Sequence, residues 1–244
     1  MAQQAYERGL ALYRGKKYAE SIEEFDSALS VDSCHKQSLL RKGVALLRLE
    51  DPESFAEINS CIERALAIDP NYKEAIVAKG HVLMAALGLA DEEDDVPGLL
   101  QQAFECVERA LQLDGSYVKA LVLKQALHGR MNDYQSALQC SNSALALKPH
   151  STSALLLRAT MLMFMKQHKL DTAGEEPLDL FDKILAIDPS KEEAWFAKGH
   201  ILLEQGLKGE AVQCFTSLRA LNGNFCEKAQ MLVDSLTKNN NNTH

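Results

Sequence analysis

Residues 192–225 read EEAWFAKGHILLEQGLKGEAVQCFTSLRALNGNF. Trp195, Gly199 and Leu202 fall at i, i+4 and i+7, one face of a helix, and Ala211, Phe215 and Leu218 repeat that spacing. The stretch therefore predicts two amphipathic helices back to back. Working outward, the phrase near its end has copies upstream: ALSVDS at 28–33, ALAIDP at 65–70, ALQLDG at 110–115, ALALKP at 144–149 and ILAIDP at 184–189, with LRALNG at 218–223 the weakest. A phrase that returns every few tens of residues marks a stacked array, in which each unit buries its apolar face against its neighbours. Asp-Pro after the second helix stops it, because proline cannot continue a helix.

The columns of the last unit are W-x3-G-x2-L-x8-A-x3-F, carried by Trp195, Gly199, Leu202, Ala211 and Phe215. Residues 2–35 hold Gly9, Leu12, Ser21, Phe25 and Ala28 in the same frame. Residues 118–151 hold Ala137, Ala144 and Pro149, with Gln125 and His128 in place of the glycine and the aromatic. This frame resembles the tetratricopeptide repeat, a helix–turn–helix unit of about 34 residues. The resemblance covers 2–225 and divides it at 2–35, 36–72, 73–117, 118–151, 152–191 and 192–225. The second, third and fifth are longer, and their extra residues are expected between the two helices, A and B. The fold class it implies is all-α: a right-handed α-solenoid of six repeats over 1–238 closed by a capping helix at 226–238. There Ala229, Leu232, Val233 and Leu236 share one face. Residues 239–244 are expected to be a disordered tail.

Bulk properties narrow the function. A net charge of −8 argues against nucleic acid, which needs a basic stripe, and against an anionic membrane surface. No apolar run reaches the roughly 18 residues of a membrane span, and MAQQAYERG does not read as a signal peptide. A cytoplasmic setting follows, with the nucleus open. Cys61, Cys106, Cys140 and Cys214 share one column, too far apart for disulfides, and read as packing thiols. His81 and His200 share another column and read as groove polarity rather than metal ligands. The run Asp91–Asp95 lacks the alternation of a calcium loop and reads as a solvated linker or a contact for a basic partner. No catalytic or nucleotide-binding motif is present, so neither enzyme activity nor a cofactor or metal is expected.

Arg8, Lys42, Lys79, Lys124, Arg158 and Lys198 each precede the helix A glycine or its substitute. Either their heads reach helix B carboxylates or they form a ladder for an acidic ligand. By the resemblance, helix A lines a concave groove. Its columns begin with Gln3, Gln37, Glu74, Lys119, Ser153 and Glu193, followed by Tyr6, Leu40, Val77, Val122, Leu156 and Phe196. The third holds Leu10, Val44, His81, Ala126, Thr160 and His200; the fourth holds Tyr13, Leu47, Met84, Gly129, Met163 and Leu203. The second column is apolar or aromatic throughout. It predicts either packing or docking of an amphipathic helix or extended segment through apolar anchors. The carboxylate clamp by which some members hold heat-shock chaperone C-terminal tails is absent. Tyr6 and Leu10, Arg41, and Glu74 and Ala78 stand at its positions. The function expected is a scaffold or adaptor for a protein or peptide, with a single-client chaperone or a substrate-presenting module as alternatives and self-association left open.

Overall fold

A computed structural model describes residues 1–49, 51–89, 95–172, 174–221, 223 and 225–240; Asp91–Asp94 and the Asn241-Asn242-Thr243 sequon lie outside them. Among the described residues there are thirteen α-helices and no strand. They run α1 (Ala2–Arg14), α2 (Tyr18–Val31), α3 (Lys36–Leu49), α4 (Phe55–Ile68), α5 (Lys73–Leu89), α6 (Val96–Leu113), α7 (Val118–Arg130), α8 (Tyr134–Leu147), α9 (Thr152–Gln167), α10 (Pro177–Ile187), α11 (Glu192–Glu204), α12 (Lys208–Ala220) and α13 (Cys226–Asn240). α13 runs two residues past the expected end of the capping helix. The contacts gather into two compact units, Met1–Leu127 and His128–His244.

Two kinds of turn build the helix pairs. From helix A to helix B the short turn uses one left-handed residue: Lys16 (φ 61°), Asn132 (φ 59°) or Gly206 (φ 80°). From helix B to the next helix A, the chain leaves the helix in extended geometry at Asp32, Asp69, Asp114 and Asp188. Each of these carboxylates accepts the N–H two residues on, from Cys34, Asn71, Ser116 and Ser190 at 3.0, 3.0, 3.1 and 3.0 Å. This local bond turns the chain without a glycine.

The longer repeats keep the second turn constant and absorb extra residues around the first. In 36–72 they include a 3₁₀ turn, Pro52–Ser54. In 73–117 much of the extra length is helix: α5 has 17 residues and α6 has 18. The expectation that the extra residues of 73–117 fall between its two helices is corrected at both ends. Gly88 and Leu89 finish α5, while Val96 and Pro97 open α6, capped by Asp95 Oδ1 accepting from Gly98 N–H at 2.9 Å. A helix continues where its residues permit.

Small residues set the A–B seams. A Cβ on Gly9 would sit 2.7 Å from the Phe25 ring, and one on Gly199 2.6 Å from the Phe215 ring. Gly43 has more room, 3.3 Å from Ile62. Phe25, Phe181 and Phe215 are fully buried. In the first unit α1 touches α3 and α3 touches α5, so successive helices A lie side by side on one face. Gln125, in a glycine column, is fully buried with neither amide atom partnered.

Candidate partner-binding face

The basic column is consumed by the fold. Lys42 bonds Asp26 at 2.5 Å and Glu57 at 2.6 Å, Lys79 pairs with Glu63 at 2.7 Å and Lys124 with Glu108 at 3.6 Å. Lys198 pairs with Asp182 at 2.5 Å, and Arg158 reaches Asn142 Oδ1 at 2.7 Å. Apart from Glu57, which lies on helix B of Lys42's own repeat, each partner lies sixteen residues back, on helix B of the preceding repeat. The spacing survives the insertions because they fall inside repeats, never across this junction. Arg158 also holds Ser141 and Glu175, and Arg8 pairs with Glu24 of its own repeat. The ladder is thus a stitch between repeats, not a free row of charge.

A second clasp operates in the first unit. Lys36 bonds Asp69 and Lys73 bonds Asp114, each at 2.6 Å, joining the start of a repeat to its end. Each ammonium also stands over a ring, Tyr72 at 5.1 Å and Tyr117 at 4.9 Å. The lysines and backbone donors hold Asp69 and Asp114 below the ordinary carboxylate pKa. Desolvation, reinforced by Glu74, pushes both tyrosines up to about 12.

Column by column, the expected groove residues separate. Leu40 (4% exposed) and Val77 (3%) are buried in the core and are packing residues. Tyr6, Leu10, Tyr13, Val44, Leu47, Met84 and Val122 remain half-buried on helices A of the first unit. The Tyr6 ring lies 5.3 Å from that of His35 and the Tyr13 ring 5.3 Å from that of Tyr18, both pairs tilted. His81 reaches solvent but is walled in by its neighbours. Desolvation lowers its pKa, and Arg48 and Lys119 lower it further. Arg41, which the columns left out, lies 6.0 Å from the Tyr13 ring. No periodic signal marks it, since it stands beside the Leu40 column and not in it.

In the second unit Leu156 is half-buried against the core. Phe196 and His200 form a ring cluster, 4.5 Å apart, with Phe225 at 4.9 Å from Phe196 and Phe215 at 5.6 Å from His200. These two expected anchors are tied into the seam with α12 and the start of α13. Phe164 was missed. It is 40% exposed on α9, its ring tilted against those of Tyr134 at 5.4 Å and His168 at 4.2 Å.

Other expected chemistry resolves simply. Burial raises the pKa of Cys61, Cys106 and Cys214, which lowers their reactivity. Among the described residues no group of His, Cys, Asp and Glu could hold a metal ion, and no helix is long and apolar enough to cross a membrane.

Models of the tetratricopeptide repeat match residues 6–73 and 192–218. No curated protein matches the chain in sequence. Among solved structures, a thermophilic TPR protein from Thermus thermophilus superposes with a TM-score of 0.73 at 18% identity, over 83% of this chain and 100% of its own. A tetratricopeptide repeat protein from Parabacteroides merdae gives 0.72 at 16%, over 97% and 84%. Human IFIT1, solved as a dimer with PPP-AAAA, gives 0.73 at 19%, over 95% of this chain and 53% of its own. Frame, turns, seams and these likenesses agree: the chain is a tetratricopeptide-repeat-like protein, an all-α array of helix–turn–helix repeats.

Proposed function

We propose that this protein is an interaction scaffold or adaptor that holds a segment of a partner protein on the helix A face of its first unit. Tetratricopeptide arrays generally mediate protein–protein interaction, and that coarse role fits a chain whose charged network is spent on joining its own repeats. The observation that carries the finer reading is the group of half-buried side chains left once packing is satisfied: Leu10, Val44, Leu47, Met84 and Val122. They supply apolar anchors for an amphipathic helix or extended segment. A dedicated chaperone would use the same face for one client. The PPP-AAAA bound by IFIT1 is not carried over, because a net charge of −8 opposes a polyanion of that density.

The test is co-purification from native cells with quantitative mass spectrometry. Proteins recovered with the wild type should be lost with Val44→Asp/Val122→Asp and retained with Gln101→Lys, on exposed α6 surface. Equal recovery with all three would remove this face from the account.

A further inference from the structure

We infer that the helix A face of the first unit takes an acidic peptide segment, with Arg41, Arg48 and Lys119 receiving several side-chain carboxylates along its length; this rests on the partner-binding reading above. In residues 1–127, Arg8, Lys17, Lys36, Lys42, Lys73, Lys79 and Lys124 all hold carboxylates. Arg64 and Arg109 donate to the carbonyls of Ser33 and Pro70. Among the described residues, Arg14, Arg41, Arg48 and Lys119 hold neither, and every one lies on a helix A. Within the first unit, leaving the unmatched cations on one set of helices points to a counter-charge from outside.

Their placement describes the ligand. Arg41 and Arg48 are seven residues apart on α3, two turns along one face and about 10 Å in rise. Lys119 opens α7, and both Arg48 and Lys119 act electrostatically on His81 of α5. One terminal carboxylate cannot reach cations distributed in this way; carboxylates spaced along a segment can. Glu74, beside Tyr72 and Tyr117, offsets only part of the positive charge. Half-buried apolar residues on the same helices A, Leu10 on α1, Val44 and Leu47 on α3 and Val122 on α7, suit side chains rather than a phosphate backbone, which favours a peptide over nucleic acid.

Phage-displayed random dodecapeptides selected on the whole chain supply the probe. The expected binders are rich in Asp and Glu. Their affinity should fall at least tenfold for Arg48→Glu/Lys119→Glu, both exposed positions, and stay unchanged for Lys183→Glu on α10, with helical melts intact throughout. Neutral or basic binders, or an unaffected double variant, overturn the inference. If such binders are still lost with Val44→Asp/Val122→Asp, the partner-binding reading survives without it. No enrichment at all sinks both. A single-stranded RNA dodecamer that binds more tightly than the selected peptides, and is lost in the same double variant, overturns the peptide assignment.

Discussion

The first and second units use one packing frame and give its exposed side chains different chemistry. Gly9 faces Phe25 in the first unit as Gly199 faces Phe215 in the second, and the stitch sixteen residues back recurs in both. Yet the column five residues beyond the small residue holds Arg14, Arg48 and Ala85 in the first unit, and Arg130, Phe164 and Glu204 in the second. Lys–Asp–Tyr clasps hold two repeats of the first unit, while the second gathers Phe196, His200, Phe215 and Phe225 around its final seam. Residues that decide stacking are constrained by close approach and burial. Residues one helical step away are free to differ, and the proposed recognition uses them.

The largest effects should separate packing from surface within the first unit. Leu40→Asp and Val77→Asp bury an unpaired charge and should each cost about 4 kcal/mol or more in urea unfolding. Val44→Asp, half-exposed one helical turn from Leu40, should cost about 1 kcal/mol. Similar losses at all three would erase the distinction drawn between core and face.

Next come the seams the units share. Gly9→Leu and Gly199→Leu drive a side chain into a buried phenylalanine ring and should each lose about 3 kcal/mol. Gly43→Ala has room to be accepted and should come out near neutral, because helix propensity favours alanine by about 1 kcal/mol. Thermal melts that leave Gly199→Leu unchanged would break the equivalence of the two ends.

A smaller contrast lies in the first turn. Lys16 holds a left-handed conformation that Gly206 holds in the last repeat. Lys16→Gly should stabilise by about 1 kcal/mol and Gly206→Lys should destabilise by about the same. Shifts of the same sign would mean that side-chain contacts, not backbone strain, govern these turns.

The smallest effect is a pH dependence at His81. Its pKa lies below the ordinary 6.5, through desolvation and then Arg48 and Lys119, so the folded chain binds this proton more weakly than the unfolded one. The stability it contributes is full above pH 6.5 and is lost as pH falls through the folded pKa. Between pH 7.5 and 5 the wild type should lose slightly more stability than His81→Gln. Parallel curves would show that the ring is not held in a positive, partly desolvated setting.

The frame was legible in the sequence because each of its columns answers to one strong constraint. Gly9 and Gly199 face rings closer than a Cβ allows, and Asp69 and Asp114 bond their own turns. The two readings of the basic column could not be decided from spacing. Its partners lie on the preceding helix B, a contact set by stacking geometry. The second column looked uniform because burial and exposure both admit leucine and valine. Only packing shows Leu40 inside and Val122 half out. Arg41 and Phe164 were missed because a polar or aromatic residue beside a core column carries no periodic signal. Of the acidic run, read as a linker or a contact for a basic partner, Asp95 caps α6, a role its place in a run of carboxylates did not signal; the other four members lie outside the described residues.

The central claim is that recognition belongs to the positive helix A face of the first unit and not to the aromatic surface of the second. Calorimetric titration of one selected acidic dodecapeptide into Arg48→Glu/Lys119→Glu and into Phe164→Glu tests it directly. The account predicts at least a tenfold weaker affinity for the first variant and wild-type affinity for the second. Unchanged binding by the first with loss in the second would contradict it.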